Sequence, residues 1–532
     1  MKGFVHVEAG RLVDGGGNPL VLRGVGLGNW LLPEGYMWRF ESTGPQSPRQ
    51  IEALIEDLVG PKLAAEFWTR FRTTFITEDD IARIRAEGMN HVRLPINSRV
   101  VMDDDGALIE SGLLVIDRLI QWCRNHELWV VLDLHGAPGG QTGTNIDDSA
   151  HGTPELFTDD RSRARTVRLW RALAERYREE PAVAAYDLLN EPLPNQYQDL
   201  YAGRLRELYM ELTAAIREVD PNHMITYEGT HWATNWSIFT EVWDPNSLLQ
   251  FHKYWTAPDR PSIRQYMDVG RSLGLPIYMG EGGENYLDWL QTAFQLFDDC
   301  GISWNFWTWK KIDTLTSPCS VVPPPGWRDI TDYAAARSAK PSPDQAWQTL
   351  GEVLEAMHLS RCTYRAEVIA ALFRRAPVKI PASGFGFEGA GRSYYTTSAS
   401  PLAGFRSDDK VTIRDARGNG SELDWNHAAG PGRSAEQELL VSLGSGDWVA
   451  YEVEVTEPAP LAFLIMSNDG RPTVELSVDE VPIQVEGAVA GQVRGTTSGP
   501  LAAGRHIVRL TARRDDTLIG SIQVTPVGRE AE

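Results

Sequence analysis

The chain has few cysteines and no long apolar run, and both shortages exclude classes of protein. Its 532 residues include four cysteines, none of them in a C-x-x-C spacing, which argues against a zinc site and against a disulfide framework. No apolar stretch reaches membrane-spanning length, and the N-terminus M-K-G-F-V-H-V-E lacks the apolar core of a signal peptide. We therefore expect no membrane insertion, and a cytoplasmic protein unless the sequence begins after a removed leader.

Basic residues are also fewer than acidic residues in this chain. The chain has 51 lysines and arginines against 72 acidic residues, a net charge of -21, which disfavours nucleic acid and anionic membrane as partners. No metal-ligand cluster and no phosphate-binding glycine motif of the usual kinds is present, so we expect no metal and no cofactor. The oligomeric state does not follow from the composition.

The first part of the chain alternates short apolar strands with helical stretches. Helical periodicity is found, for example, at 109–125, 199–219 and 287–299. Eight such units over roughly 350 residues predict a (β/α)8 TIM barrel with insertions. The eight predicted strands are 20–26, 91–96, 129–135, 183–189, 223–229, 248–254, 276–282 and 303–309.

The composition and the hydrophobic periodicity of the sequence change after residue 375. The segment 377–391 is rich in proline, glycine and serine, and beyond it alternating patterns such as D-W-V-A-Y-E-V-E-V and H-I-V-R-L-T-A replace the helical ones. Short strands separated by turns over about 150 residues predict an all-β sandwich. We place a barrel domain at 1–375 and a β-sandwich domain at 376–532.

Two glutamates at predicted strand ends indicate the chemistry. Glu191 follows strand 4 in Y-D-L-L-N-E-P, and Glu281 lies on strand 7 in Y-M-G-E-G-G. A barrel of this kind brings strand ends together on one face, so we expect the two carboxyl groups to face each other. One carboxylic acid that protonates the leaving oxygen and one carboxylate that acts on the anomeric carbon are what cleavage of a glycosidic bond requires.

Seven separated motifs in order give the chain a family resemblance. They are V-R-L-P-I-N, L-D-L-H-G-A-P-G-G-Q, N-E-P, F-H-K-Y-W, Y-M-G-E-G-G, W-N-F-W-T-W-K and the opening L-R-G-V-G-L-G-N-W-L-L-P-E. Together they resemble glycoside hydrolase family 5, and the opening is similar to its exo-β-1,3-glucanase and β-glucosidase branch. The resemblance covers residues 1 to about 360.

The resemblance implies roles for individual residues. Glu191 would be the acid/base and Glu281 the nucleophile of a retaining mechanism. The other implied site residues would bind substrate or orient these two. Arg93 would keep Glu281 ionised, and Tyr254 would donate a hydrogen bond to the same carboxylate. Asn190 would bind the sugar 2-hydroxyl, while His135 and His252 would fix hydroxyls and orient the glutamates. Trp307 would form the floor under the sugar, with Trp309 also at this strand end, and Glu34 would hold a terminal glucose.

Two segments stand apart from the barrel motifs. Residues 35–60 are this chain's own, and an insertion there would reshape the substrate site. The C-terminal domain resembles carbohydrate-binding modules of families 6 and 35 in F-R-S-D-D-K-V-T-I, G-D-W-V-A-Y-E-V-E-V and A-G-R-H-I-V-R-L. Trp425, Tyr394 and Tyr395 are its candidates for stacking on sugar, with core packing as the alternative.

We therefore predict a retaining β-glycoside hydrolase that acts on oligosaccharides or glycosides. The preferred substrates are β-glucosides or β-1,3-gluco-oligosaccharides attacked from an end. The alternatives keep the mechanism: a β-mannosidase, a glycolipid β-glucosidase, a diglycosidase or an endo-glucanase. A different class, a glycan-binding protein on an inactive barrel, is disfavoured by the presence of both glutamates.

Overall fold

The structure is a computed structural model. It describes residues 3–397, 400–402, 404–418, 422–425, 433–466, 474–489 and 491–528. By contacts the chain divides into two units. The first gathers Met1–Lys253, Tyr266–Gly282 and Ser303–Tyr364, and the second gathers Tyr254–Gln265, Gly283–Ile302 and Arg365–Glu532. Because these units collect separate segments, the contiguous domain limits of the sequence analysis stay a prediction.

Eight parallel strands form a closed barrel, which confirms the predicted fold class. The order around the barrel follows the chain, and the last strand pairs with the first. Most of the strand residues are fully buried, as strands covered on both faces are. The strands are β1 Arg23–Gly26, β2 His91–Asn97, β3 Trp129–Gly136, β4 Val183–Asp187, β5 Met224–Glu228, β6 Ser247–Lys253, β7 Ile277–Gly283 and β8 Ser303–Trp307.

Twelve α-helices lie in the described part of the chain, and several begin with explicit capping. Ser47 and Ser342 each start a helix with a capping box and a proline at the first turn, a combination that satisfies the exposed N–H groups of a helix start. The helices are α1 Pro48–Val59, α2 Pro61–Thr74, α3 Glu78–Ala86, α4 Ser98–Val101, α5 Glu110–Asn125, α6 Asp160–Tyr177, α7 Gln198–Arg217, α8 Arg260–Leu273, α9 Leu287–Asp299, α10 Trp327–Ala334, α11 Pro343–Ala356 and α12 Ala366–Phe373.

The segment 35–60 contains a short 3-10 helix, Gly35–Trp38, and the whole of α1. Arg49 at the start of α1 donates from its backbone to Asp148 at 2.9 Å. Asp148 also accepts from Arg99 at 2.7 Å, and Arg99 pairs with Glu52 of α1. These charge-assisted bonds fasten α1 to the loop that follows β3.

A two-stranded hairpin precedes the barrel. His6–Glu8 pairs antiparallel with Arg11–Val13. Its apolar residues Val5 and Leu12 belong to a buried cluster that includes Ala184, Met224 and Leu248. Those three residues lie at the starts of β4, β5 and β6, so the hairpin packs on the N-terminal end of the barrel.

The second unit contains antiparallel sheets around one hydrophobic core. The alternating burial of strands such as Leu461–Met466 fits a sheet with one buried face. This agrees with the predicted β-sandwich. One sheet has the order Val378–Pro381, Ser521–Pro526, Leu461–Met466, Gln492–Thr496, Val485–Val489; the second has Tyr394–Tyr395, Trp448–Val455, Gly504–Ala512, Val474–Val478, Val481–Ile483; and a third has Thr412–Asp415, Leu439–Leu443, Thr517–Ile519.

The three aromatic candidates of this unit differ in exposure. Tyr394 is buried and Trp425 packs on Phe405 with ring centroids 4.8 Å apart. Tyr395 is 49% exposed. Of the three, Tyr395 presents the most ring surface to solvent.

The cysteines and the helices of the described residues relate to two expectations from the sequence, the lack of a disulfide framework and of a membrane-spanning segment. Cys123, Cys300, Cys319 and Cys362 all lie in the described part of the chain, and none forms a disulfide. Among the described helices, none combines the length and apolarity needed to cross a bilayer.

Candidate active site

Arg93 lies at the centre of the polar cluster inside the barrel mouth. It belongs to β2 and is 0% exposed. Burial opposes its charge, but the surrounding carboxylates raise its pKa, because each favours the charged guanidinium. Its guanidinium contacts five side chains: Asp187 and Glu281 at 2.8 Å, Asn190 at 2.9 Å, and Glu228 and Asp133 at 3.2 Å.

Glu191 and Glu281 meet across the mouth of the barrel. A carboxylate oxygen of each, together with one nitrogen of His252, forms a group in which all atoms lie within 4.8 Å of one another. His252 Nδ1 is 2.8 Å from Glu191 Oε1 and 3.9 Å from Glu281 Oε1. The two carboxylate oxygens are therefore at most 4.8 Å apart. This limit is close to the roughly 5 to 5.5 Å between the carboxyl groups of retaining glycosidases, and well below the roughly 6.5 to 9.5 Å that leaves room for a water in inverting ones.

The environment of Glu281 contains opposing influences. Burial raises the pKa of its carboxyl group, the cations His252 and Arg93 lower it, and the nearby Glu191 raises it. The net direction is upward. Arg93 thus acts on Glu281 in the expected direction, favouring the carboxylate, but it does not outweigh burial.

A second set of contacts joins β3 to the end of β4. His135 Nδ1 lies 2.7 Å from Asp133 Oδ2, and the ring is 3.3 Å from the amide of Asn190. Burial lowers the pKa of His135, but the charge and the hydrogen bond of Asp133, together with the charge of Glu281, raise it, and the net shift is upward. Gln141 donates to the carbonyls of His135 at 2.7 Å and of Asn190 at 2.9 Å, which holds the two strand ends together.

Trp307 ends β8 and lies parallel to His135. The ring planes are 1° apart, with centroids separated by 5.6 Å. A Cβ on Gly26 would lie 2.7 Å from the indole, and one on Gly28 would lie 2.6 Å from it. Since real Cβ atoms do not approach so closely, glycine at both positions makes the space that the indole occupies. The glycines of R-G-V-G-L-G-N therefore shape this wall of the site.

The other edge of Trp307 contacts the segment that contains Glu34. Trp307 Nε1 donates to the hydroxyl of Tyr36 at 2.9 Å. Glu34 is 4% exposed and precedes the 3-10 helix that carries Tyr36. Asn29, with φ of 70°, accepts from the indole of Trp38 at 2.5 Å and from the backbone of Glu34 at 3.4 Å. Glu34 is thus anchored beside the Trp307 wall.

One sequence-predicted site residue, Trp309, lies outside this polar cluster. Trp309 is 0% exposed, and its indole donates to Asp80 at 2.9 Å. It is therefore a core residue in this structure, contrary to the expectation of substrate contact, because it follows the end of β8 and turns into the layer beside α3. Tyr254 directly follows β6, with its ring 5.7 Å from that of Trp255, and its contact with Glu281 stays a prediction.

Glu191, His252 and Glu281 are spaced closely enough to hold a metal ion. Burial lowers the pKa of His252, but Glu228, Glu281 and Glu191 raise it well above its ordinary value. A protonated imidazole offers no lone pair to a metal. The donor set therefore fits a hydrogen-bonded catalytic pair better than a metal centre.

Three buried polar side chains behind the two glutamates were not predicted as site residues from the sequence. Asp187, Glu228 and Gln250 are each 0% exposed, and burial, opposed by Arg93, raises the pKa of Asp187 to about 8. Gly280 makes room for Gln250, because a Cβ at 280 would lie 2.1 Å from the amide. The signal was present in the sequence as polar residues inside otherwise apolar strands.

Comparisons with known proteins agree with this geometry. Residues 59–313 match the family model described as cellulase (glycosyl hydrolase family 5). A "Beta-xylosidase" of Phanerodontia chrysosporium is 29% identical over 58% of this chain and 71% of its own length. A "Probable glucan 1,3-beta-glucosidase A" of Aspergillus clavatus is 32% identical over 44% of this chain and 55% of its own length. "Endoglucanase C" of Acetivibrio thermocellus is 35% identical over 34% of this chain and 51% of its own length.

The chain thus spans from about half to 71% of the length of these relatives. The matched segment begins in α1 and ends just after β8, and it includes both facing glutamates. Residues 59–313 of this chain are thus similar to the catalytic domains of glycosyl hydrolase family 5.

Proposed function

We propose that this chain is a retaining β-glycoside hydrolase in which Glu281 is the nucleophile and Glu191 the acid/base. The single observation that supports this most strongly is the separation of at most 4.8 Å between a carboxylate oxygen of each, which suits direct attack on the sugar better than attack by an intervening water.

The proposed reaction has two steps. The Glu281 carboxylate forms a bond to the anomeric carbon while the glycosidic bond breaks, and the Glu191 carboxyl group gives its proton to the leaving oxygen. In the second step a water attacks the glycosyl-enzyme, Glu191 takes the proton from that water, and Glu281 is released. Arg93, 2.8 Å from Glu281, stabilises the carboxylate that departs.

For the substrate we propose β-glucosides or β-1,3-gluco-oligosaccharides attacked from one end. Support comes from Glu34, which is fixed beside the Trp307 wall where a terminal sugar would stack, and from the name of the relative from Aspergillus clavatus. β-Xylosides and internal β-glucan linkages are the competing substrates that the other two relatives' names suggest.

The test is hydrolysis of a panel of nitrophenyl β-glycosides and of β-1,3-gluco-oligosaccharides, with the anomer of the first product determined by NMR. We expect release of glucose in the β configuration. An α-anomer as first product would overturn the retaining mechanism. Release of xylose, mannose or disaccharides would replace the proposed substrate.

We further propose that the second unit binds glycan, in line with the resemblance of its sequence to carbohydrate-binding modules. A concavity of about 530 Å³ lies over the sheet of that unit, and Arg494, Gln523, Gln484 and Glu486 line it. Such donors and acceptors suit sugar hydroxyls. We expect the full chain to migrate more slowly in a native gel that contains β-glucan than in one without it. The double variant Arg494→Ala, Gln523→Ala should migrate equally fast in both gels. Unchanged retardation would exclude this face.

A further inference from the structure

Glu228, at the end of β5, is fully buried and receives four nitrogen groups. Its Oε2 accepts the backbone N–H of Glu191 at 2.6 Å. Its Oε1 lies 3.2 Å from Arg93 Nη2 and 3.2 Å from His252 Nε2, and it also contacts the amide of Gln250. Both carboxylate oxygens are therefore engaged at the centre of the site.

The contact with Glu191 is to the backbone of the proposed acid/base. Glu191 has φ of 44°, a left-handed conformation that carries an energetic cost for a residue other than glycine. A charge-assisted hydrogen bond to its N–H offsets this cost. Because the backbone conformation sets where the side chain begins, Glu228 directs the Glu191 carboxyl group towards the cleft.

The second contact reaches the Glu191 side chain through His252. The imidazole lies between two carboxylates, with Nδ1 2.8 Å from Glu191 and Nε2 3.2 Å from Glu228. Nε2 also lies 3.1 Å from the amide nitrogen of Gln250, which itself donates to Asp187 and Glu228. With the two amide hydrogens directed to these carboxylates, both ring nitrogens serve their own acceptors only when both carry hydrogen. The other charged groups near the ring are Glu281, 3.9 Å from Nδ1, and Arg93, which shares Glu228.

From this geometry we infer that Glu228 is a positioning residue for Glu191: it holds the Glu191 backbone in its left-handed conformation and keeps His252 doubly protonated against the Glu191 carboxyl group. The inference rests on the proposed acid/base role of Glu191. Its consequence is that His252 keeps its second proton to higher pH than it would without Glu228, because the neighbouring carboxylate favours the charged imidazole.

The test is the pH profile of kcat/KM for Glu228→Gln, with Asp133→Asn as the matched control. Both residues lie 3.2 Å from Arg93, and of the two it is Glu228 that contacts Glu191 and His252. We expect Glu228→Gln to move the alkaline limb to lower pH by about one unit, and to slow substrates with poor leaving groups more than those with good ones. Asp133→Asn should leave the limb in place. Equal behaviour of the two variants would overturn the inference.

A second measurement does not depend on turnover. Imidazole nitrogen shifts of His252, assigned with His252→Gln, should report the doubly protonated ring in the wild type at neutral pH and a ring that loses a proton near neutrality in Glu228→Gln. Glu228→Asp, which keeps the charge, should keep the protonated ring if Glu228→Gln folds poorly. A neutral His252 in the wild type would refute the inference even if the hydrolase proposal holds, and absence of hydrolysis with a protonated His252 would refute the latter alone.

Discussion

Trp307 of β8 and His135 of β3 stack in parallel across the barrel mouth, although β1 and β2 stand between their strands. Gly24, Gly26 and Gly28 alternate along β1 and its extension, and a Cβ at any of them would collide with a neighbour at 2.7 Å or less. Alternate strand residues point to the same face. These three glycines therefore share one face of β1 and its extension, where the Trp307 indole occupies the space beside Gly26 and Gly28 and His91 occupies the space beside Gly24.

We expect Gly28→Ala to displace Trp307. The added methyl group would lie 2.6 Å from the indole, and overpacking of this kind costs about 1 to 3 kcal/mol. Unfolding experiments should show this loss of stability, and KM should rise because the Trp307 wall, on which the sugar would stack, moves. Gly203→Ala is the control, since Gly203 is exposed in α7 with open space around it; it should stabilise by up to about 1 kcal/mol. Normal KM in Gly28→Ala would contradict the assignment of the wall.

The two tryptophans near the end of β8 should separate activity from stability. Trp309→Phe removes the donor to Asp80 and should lower the free energy of unfolding by about 1 to 3 kcal/mol with kcat/KM unchanged. Trp307→Phe should lower kcat/KM about tenfold, equivalent to about 1.4 kcal/mol, with a smaller effect on stability. Substrate titrations and denaturant unfolding of both variants decide the matter. A raised KM in Trp309→Phe would restore its role in binding.

The two glutamates should respond differently to the leaving group. Glu281→Gln should abolish turnover of every glycoside, because no carboxylate remains to attack the sugar. Glu191→Ala should lose on the order of 10²- to 10⁴-fold with poor leaving groups and much less with dinitrophenyl glycosides, which need no protonation. Steady-state kinetics on both substrate types checks this. Rescue of Glu281→Gln, rather than of Glu191→Ala, by the good leaving group would reverse the roles.

Glu436 of the second unit should make stability depend on pH. Burial and the charge of Asp288 raise its pKa from 4.5 to about 8. Below pH 4.5 the carboxyl group is protonated in both the folded and the unfolded chain, and its contribution to stability is complete. As pH rises from 4.5 towards 8, the unfolded chain loses this proton more readily than the folded chain, so the free energy of unfolding falls by at most about 1.4 kcal/mol per pH unit. Glu436→Gln should therefore gain stability over the wild type as pH rises from 5 to 8.

The control for this experiment is Glu438→Gln, in the same 3-10 turn but less buried and paired with Arg433 at 3.6 Å. This variant measures the effect of removing a carboxylate from the same turn. If the stability difference of Glu436→Gln from the wild type changes with pH no more than that of Glu438→Gln, the raised pKa of Glu436 is refuted.

The sequence predicts the barrel well because its strands are buried on both faces and its helices are amphipathic. The errors lie at strand ends: β4 ends at Asp187 and β8 at Trp307, two residues earlier than predicted in each case. Apolar residues such as Leu189 continue the pattern beyond the strand, since the loops inside the mouth are as buried as the strands.

The facing glutamates could be found from chemistry and motif, but their support could not. The positive φ of Glu191, the four nitrogens around Glu228 and the burial of Trp309 depend on the distances between strands, which no local pattern records. The segment 35–60 posed a similar problem, since α1 is fastened to Asp148, nearly a hundred positions away.

The N-terminal hairpin packs on the end of the barrel opposite the facing glutamates. We therefore expect substrate and released sugar to pass through the opening at the facing glutamates. A sugar that lingers in the mouth blocks the next molecule, so the released monosaccharide should act as a competitive inhibitor.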